Sequence, residues 1–385
     1  MNRNIARRLR IASSETDVEE QTIDIPVVNN TEARQQLITS MENVALDIIQ
    51  QICNGCLPQV SYVSSEDLVN TENVESFFDE SNQEPEYASV TTLTSFANRG
   101  SRDKFTLMMV VMAAAHRLLI TNCTKTRRSL YYDLKNEKTG HLVPDQRKLD
   151  QTVKCVANLM NCAPWELNLL STMKGLAAGE LKLTMNDNKI VDCTVPGGAL
   201  IPLMSNIISV RARAKLVLVV EKDTVFQKLL EDGCTSVLKC VLVTGKGYPD
   251  VATRMFVKFL SERLKLPVYI IVDADPFGVE IMCVYRFGST GLSRERESLV
   301  CPNARWLGIH PSELLALGVN TVPLTAIDLS RLTSLEGKPY MTNAILKELE
   351  VMRNGKAEIE NLSPSSRKFL VATYLTCKIK GDDCI

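Results

Sequence analysis

Three runs of the chain, KLVLVVE (215–221), CVLVTGKG (240–247) and PVYIIVDADPFG (267–278), are apolar without alternation. A strand with one wet face alternates apolar and polar residues, whereas a continuous apolar run belongs to a strand covered on both faces. Between the runs lie DTVFQKLLEDG (223–233), with a glycine stop, and DVATRMFVKFLSERL (250–264), both with the apolar spacing of helices. Buried strands that alternate with helices build a parallel sheet with helices on its faces. An α/β fold with a mostly parallel sheet is therefore predicted for residues 195–385.

In such sheets ligands gather at the carboxyl ends of the strands. Those ends carry Glu221, the Gly245-Lys246-Gly247 turn, and Asp273 with Asp275. A lone DxD also occurs as a helix cap or as a solvated turn. A strand-terminal Glu followed 52 residues later by a strand-terminal DxDPxG is more specific, because two βα units bring both to one rim. Carboxylates converging there form an oxygen cage suited to Mg²⁺.

The first half of the chain has a different character. Residues 11–98 hold sixteen Asp or Glu against Arg34 alone, while residues 101–154 hold eleven Lys or Arg against five acids. The basic block is a surface for an anionic ligand, and it surrounds TKTRRSLYYDLK (124–135). On a helix, residues four apart share a face, so Arg127 stands below Tyr131 and Arg128 below Tyr132. A phenol is protonated at neutral pH, and a neighbouring guanidinium favours the phenolate and grips phosphate. The spacing leaves the two tyrosines equivalent, and it equally fits Tyr and Arg stacked for packing alone.

Around that segment DKFTLMMVVMAAAHRLLIT (103–121) and QRKLDQTVKCVANLMNCA (146–163) have helical spacing, and GELKLTMNDNKIVDCTV (179–195) reads as a hairpin. Three short helices and a hairpin predict a winged-helix domain over 101–194. Upstream, residues 1–35 read as a disordered leader, 36–56 as an amphipathic helix and 57–100 as an acidic linker. The helix carries a narrow seam of Ile38, Met41, Ala45, Ile48 and Ile52, which either folds onto the core or receives a partner helix.

Several function classes have no support. Of twelve cysteines only Cys53 and Cys56 form a CxxC, without the second pair a structural zinc site needs, so reduced thiols are expected. His116, His141 and His310 form no cluster that would supply a hydrolase base. No apolar run spans a bilayer and no secretory core opens the chain, so a cytosolic or nuclear protein without membrane contact is expected. The RRLR at 7–10 reads either as a nuclear address or as a solvated tail.

VVEKD, TGKGYPDVATR and VDADPFGVEI resemble the Toprim domain of the topoisomerase VI A-subunit family, and TKTRRSLYY resembles its tyrosine-bearing winged-helix segment. STMKGLAAGEL (171–181) and CPNARWLGIHPSEL (301–314) resemble the eukaryotic, meiotic branch of that family. The likeness runs from about residue 100 to 385, in order. It implies that Tyr132, the second of the pair, is a nucleophile that leaves a 5′-phosphotyrosyl bond on double-stranded DNA, with Arg128 beside it. It implies that Glu221, Asp273 and Asp275 hold Mg²⁺. Arg127 is then expected to touch the DNA backbone, and Lys246 and Arg254 are expected either to do the same or to be held by solvent and structural hydrogen bonds.

The resemblance further implies a homodimer in the cleaving state, in which the tyrosine of one protomer works with the acids of its partner. It implies a B-type transducer partner docked on the 36–56 helix, other meiotic accessory proteins, and the nucleus as the place of action. One departure stands out, Ser129 where the family usually has Asp. The alternatives are a true topoisomerase that reseals DNA with an ATPase partner, a non-catalytic DNA-binding relative, and a Toprim hydrolase in which water attacks.

Overall fold

The computed structural model describes residues 18–25, 31–64, 90–288, 296–362 and 368–385, and the chain divides into two units. The acidic leader does not stay unstructured throughout. Residues Gln21–Asp24 form strand β1, which belongs to a sheet of the larger unit. The RRLR segment lies outside the described residues.

The smaller unit comprises 27–173 and 287–300. It begins with helix α1 (Thr31–Cys53), whose seam folds onto the core over the first half of the helix. Ile38 and Met41 are buried in this unit's core, whereas Leu46, Ile49 and Ile52 stay exposed toward the helix end. The expected linker is ordered at both ends, since β2 (Gln59–Ser64) and β3 (Val90–Ser95) pair antiparallel with Val60 facing Thr94. Val60 and Tyr62 enter the core, so a segment that reads as acidic spacer contributes apolar packing. Its middle, 65–89, lies outside the described residues.

Three helices follow. In α2 (Arg102–Ile120) Leu107, Met108, Val111, Ala115 and Leu119 repeat at steps of one, three and four and are fully or nearly fully buried. A two-residue strand, β4 (Lys125–Thr126), leads into α3 (Arg127–Leu134). Helix α4 (Gln146–Leu159) starts at Asp145, whose carboxylate accepts from Lys148 N at 2.8 Å, and buries Leu149, Val153, Val156 and Ala157. The short β5 (Leu169–Leu170) pairs parallel with β4 and so ties the start of α3 to the end of the unit.

The larger unit holds residues up to 26, 174–286 and 301–385. Strands β6 (Leu176–Ala178), β7 (Leu181–Met185), β8 (Ile190–Asp192), β9 (Ala199–Leu200) and β10 (Ile207–Ala212) come first. The hairpin expected as the wing is present as β7 and β8, but it lies in this unit, in a four-stranded antiparallel sheet ordered β1-β10-β7-β8. The boundary near 195 therefore moves to 173/174. The reason is tertiary: β7 has β10 on its other edge, paired from Met185↔Ile207 to Leu181↔Ala212.

The three apolar runs are the strands β11 (Leu216–Val220), β12 (Cys240–Thr244) and β13 (Val268–Ile271), every residue of each buried. With β14 (Arg305–Gly308) they are mutually parallel, and the sheet order is β14-β13-β11-β12-β6-β9. Full burial of each Val, Leu or Ile side chain stabilises the fold by about 1.5–3 kcal/mol. Helices α5 (Asp223–Glu231), α6 (Val251–Glu262) and α7 (Pro276–Arg286) each follow one of these strands. Further on, α8 (Ala326–Glu336) and α9 (Asn343–Met352) complete the unit together with the helical turns at Leu370–Gly381. In register, Val220 lies beside Thr244 on one side and Ile271 on the other, so three strands end at one level of the rim. Among the described residues every cysteine is a free thiol, and no helix is long and apolar enough to cross a membrane.

Candidate active site

Helix α3 is opened by Thr126, whose hydroxyl accepts from Ser129 N at 3.1 Å. Ser129 is thus the third helical residue, where an acid would complete a reciprocal capping box, and serine leaves that half of the box unmade. The buried face of α3 is set by Leu130 and Leu134. At about 100° per residue, Tyr132 falls roughly 200° from Leu130, on the opposite face, and Arg128 falls about 40° from Tyr132. Tyr132 is accordingly 60% exposed, and Arg128 is exposed beside it with no hydrogen bond or ion pair to any described residue.

Tyr131 differs. It is half-buried against the core, with the Lys135 ammonium 5.5 Å from its ring centre. The two rings meet edge to face, with centres 5.4 Å apart. Arg127 is turned inward as well: its Nε donates to Leu169 O at 3.4 Å, and its charge reaches Asp150. Lys125 pairs with Asp133 across the same helix. The equivalence left by the sequence spacing is thereby broken, since only the Arg128–Tyr132 pair faces solvent.

The acids lie in the other unit. Glu221 follows β11 directly, and its Oε2 accepts from Asp273 N at 3.0 Å, which joins the ends of β11 and β13. Burial first, and the charge of Asp273 next, push the Glu221 carboxyl up to about 7. Asp273 is nearly inaccessible; Ile359 N donates to its Oδ1 at 2.9 Å, and the Lys222 ammonium sits 2.7 Å from its Oδ2. Burial raises the Asp273 carboxyl despite these partners. Asp275 is raised by burial too, and it accepts from Gly278 N at 2.6 Å at the start of α7.

Glycine at 278 has a steric cause. A Cβ there would lie 2.5 Å from Asp273 O and 3.1 Å from Glu221 Oε2, so only glycine lets α7 approach the acid turn. Gly175 plays the same part on the other side, where a Cβ would collide with Thr253 on α6. Asp250 caps α6 through Thr253 N at 2.8 Å and holds Lys174 N at 2.8 Å with its second oxygen.

The donor set fits a divalent cation. Asp273 is buried and Glu221 and Asp275 are partly buried, all three are raised by desolvation with one ammonium, Lys222, paired to Asp273, and hard oxygen ligands suit a hard cation. As they stand they are not drawn tightly enough for one ion to touch all three. Among the described residues the only grouping that tight is His310, Glu313 and Asp383. There, however, a cation is already in place: the Lys378 ammonium pairs with Glu313 and lies 3.4 Å from Asp383, and Tyr374 donates to Glu313 at 2.7 Å. That cluster is a buried salt bridge anchoring the C-terminal helical turns.

One expected DNA contact needs correction. Arg254 is only 3% exposed on the inner side of α6, near Tyr285, and presents no surface to a backbone. Lys246, by contrast, is exposed, with its ammonium 3.0 Å from the Asp223 carboxylate. Sequence reasoning also passed over Lys222, Glu358, Ile359 and Glu360. Lys222 stood in plain view beside Glu221, but nothing in the local pattern linked it to residues 358–360.

Comparison with known proteins identifies the family. Residues 216–379 match the family model for the Toprim domain of the topoisomerase 6 A-subunit and Spo11, and residues 103–169 match that described as Type IIB DNA topoisomerase. The chain is 34% identical over 356 residues to Meiotic recombination protein SPO11 of Homo sapiens, covering 90% of this chain and 87% of that protein. The chain belongs to the topoisomerase 6 A-subunit/Spo11 family. Its similarity to the SPO11 of Mus musculus is likewise 34%, with the same coverage. It is 33% identical over 308 residues to the A-subunit of DNA topoisomerase 6 from Arabidopsis thaliana, across 76% of this chain and 69% of the plant protein. As a topoisomerase 6 A-subunit/Spo11 member it is a topoisomerase-like, DNA-cleaving enzyme, and the acid rim lies within the matched Toprim residues.

Proposed function

We propose that the protein makes double-strand breaks that initiate meiotic recombination, by transesterification. The Tyr132 Oη attacks a DNA phosphorus, a Tyr–O–P bond forms to the 5′ side, and the P–O3′ bond breaks. The phenol gives up its proton and the departing 3′-oxygen gains one, so one phosphoester is exchanged for another. Arg128, one helical turn below Tyr132 on the same exposed face, clamps the phosphate. Glu221, Asp273 and Asp275 are the residues to hold Mg²⁺, which when bound supplies positive charge against the phosphate oxygens and the leaving 3′-oxygen. The observation that carries the reading is the exposure of Tyr132 with Arg128 opposite the Leu130 and Leu134 face.

The helical unit is read as a winged-helix module with β2 and β3 in the place of the wing. Nucleophile and acids occupy different units of one chain, which suits a homodimer that pairs the tyrosine of one copy with the acids of the other on double-stranded DNA. The exposed Leu46, Ile49 and Ile52 at the end of α1 suit docking of a B-type transducer partner. Meiotic accessory proteins and a nuclear location follow from the same reading. Contacts through phosphate imply weak base preference.

Covalent capture tests the proposal. Protein denatured from meiotic cells and end-labelled should carry DNA in the wild type and in Tyr131→Phe, and none in Tyr132→Phe. Label retained in Tyr132→Phe would sink it. The likeness to the plant topoisomerase 6 A-subunit favours one second reading, a resealing topoisomerase. ATP-dependent relaxation of supercoiled DNA with a B-type partner would select it.

A further inference from the structure

The Lys222 ammonium is shared among three carboxylates. It lies 2.7 Å from Asp273 Oδ2, 3.2 Å from Glu358 Oε2 and 3.4 Å from Glu360 Oε2. The first belongs to the acid turn and the others to the segment that lies along it. That segment is fastened to the turn by paired backbone bonds between Ala274 and Ala357, at 3.0 and 3.2 Å, and by Ile359 N on Asp273 Oδ1 at 2.9 Å. Glu360 is held in turn by the Thr224 hydroxyl at 3.1 Å. Asp273 therefore has one oxygen fixed by backbone and the other fixed by a tethered cation, and that cation has two alternative partners within reach.

We infer that Lys222 is a positioning residue with two stations: it holds Asp273 in place before a divalent cation arrives, and then withdraws to Glu358 and Glu360. The inference rests on the metal reading given above. A divalent ion and an ammonium cannot both crowd Asp273 Oδ2 without repulsion, so the ion must displace the ammonium or bind weakly. Glu358, with 64% of its side chain exposed, and Glu360 at the rim keep the displaced charge neutralised after a short withdrawal from Asp273. Without them Lys222 has only Asp273 to pair with, and it competes fully with the incoming ion.

The test is a double-mutant cycle on metal affinity, read by calorimetric titration of the full chain with MgCl₂ or MnCl₂ in the absence of DNA. Removing two acids weakens any cation by long-range charge alone, so the coupling is the informative quantity. In the wild-type background Lys222→Met should change affinity by no more than about threefold, since the ammonium already has a refuge. In the Glu358→Gln/Glu360→Gln background, the same substitution should tighten binding by about tenfold or more, a coupling of roughly 1 kcal/mol.

An equal factor in both backgrounds would overturn the inference while leaving the metal reading intact. A wild-type protein that gives no saturable binding, indistinguishable from Asp273→Asn, would overturn both. Because Glu358 is exposed, Glu358→Gln alone supplies a folded background should the paired substitution unfold, and the same coupling is expected there at smaller size.

Discussion

The larger unit contains two acid clusters that differ in where their positive charge falls: on Glu313 directly in one, on Asp273 but not on Glu221 in the other. Around Glu313 the protein provides its own cation. Burial alone would raise that carboxyl, but bonds from His310, Lys378 and Tyr374 outweigh it and hold the group at about 2. Around Glu221 the balance is reversed, and burial with the Asp273 charge carries the carboxyl to about 7. One cluster is closed and structural. The other is open toward positive charge from outside, as a metal-binding rim must be.

Breaking the closed cluster should produce the largest effect. Lys378 is 5% exposed, and Lys378→Met leaves Glu313 buried without its ammonium, so urea denaturation should show a loss of about 3–5 kcal/mol. Acid should reproduce much of that loss in the intact protein. The folded carboxyl of Glu313 lies below its ordinary 4.5, so its stabilisation is fully present above that value and disappears as pH falls toward about 2. The contribution is on the order of 3 kcal/mol, and it should be missing from the pH profile of Glu313→Gln.

The open cluster should respond in the opposite sense. A folded carboxyl raised from 4.5 to about 7 costs stability as pH rises through that window, and the cost is complete above it. Metal-free Glu221→Gln should therefore melt higher than the wild type at pH 8, by about 2–4 °C for each kcal/mol relieved, and equally at pH 4. Added MgCl₂ should raise the wild-type melting temperature and leave that of the variant unmoved. The smallest effect is expected at Lys246, whose pairing with Asp223 is half-exposed on both sides. Lys246→Ala should shift stability by less than about 1 kcal/mol in a denaturant titration.

Much of this is legible in the order of residues. The buried strands ending at Val220, Thr244 and Ile271 announce themselves because a strand covered on both faces has no polar alternation to disguise it. Caps at Asp145 and Asp250 and the seam of α4 follow from the same local rules. What escaped was long-range. Strand β1 has too little apolar character to be read as a strand, and it forms because β10 presents an open edge, with Ile23 opposite Val210. The β7–β8 hairpin was recognisable, but its sheet depended on β10, whose residues pair with β7 from Met185↔Ile207 to Leu181↔Ala212.

The amino-acid order by itself determined which segments become buried strands and helices, which strand ends carry acids, and that Tyr131 and Tyr132 each have an arginine one turn below. Those are consequences of periods of two and of about 3.6 residues, which act within a few neighbours. Tertiary structure alone decided that Leu130 and Leu134 turn inward so that Tyr132 faces solvent, and that Arg254 is buried. It alone brought Lys222 to carboxylates 51, 136 and 138 residues further on. Burial and ion pairing depend on what lies opposite a side chain in space, and only chain packing supplies that.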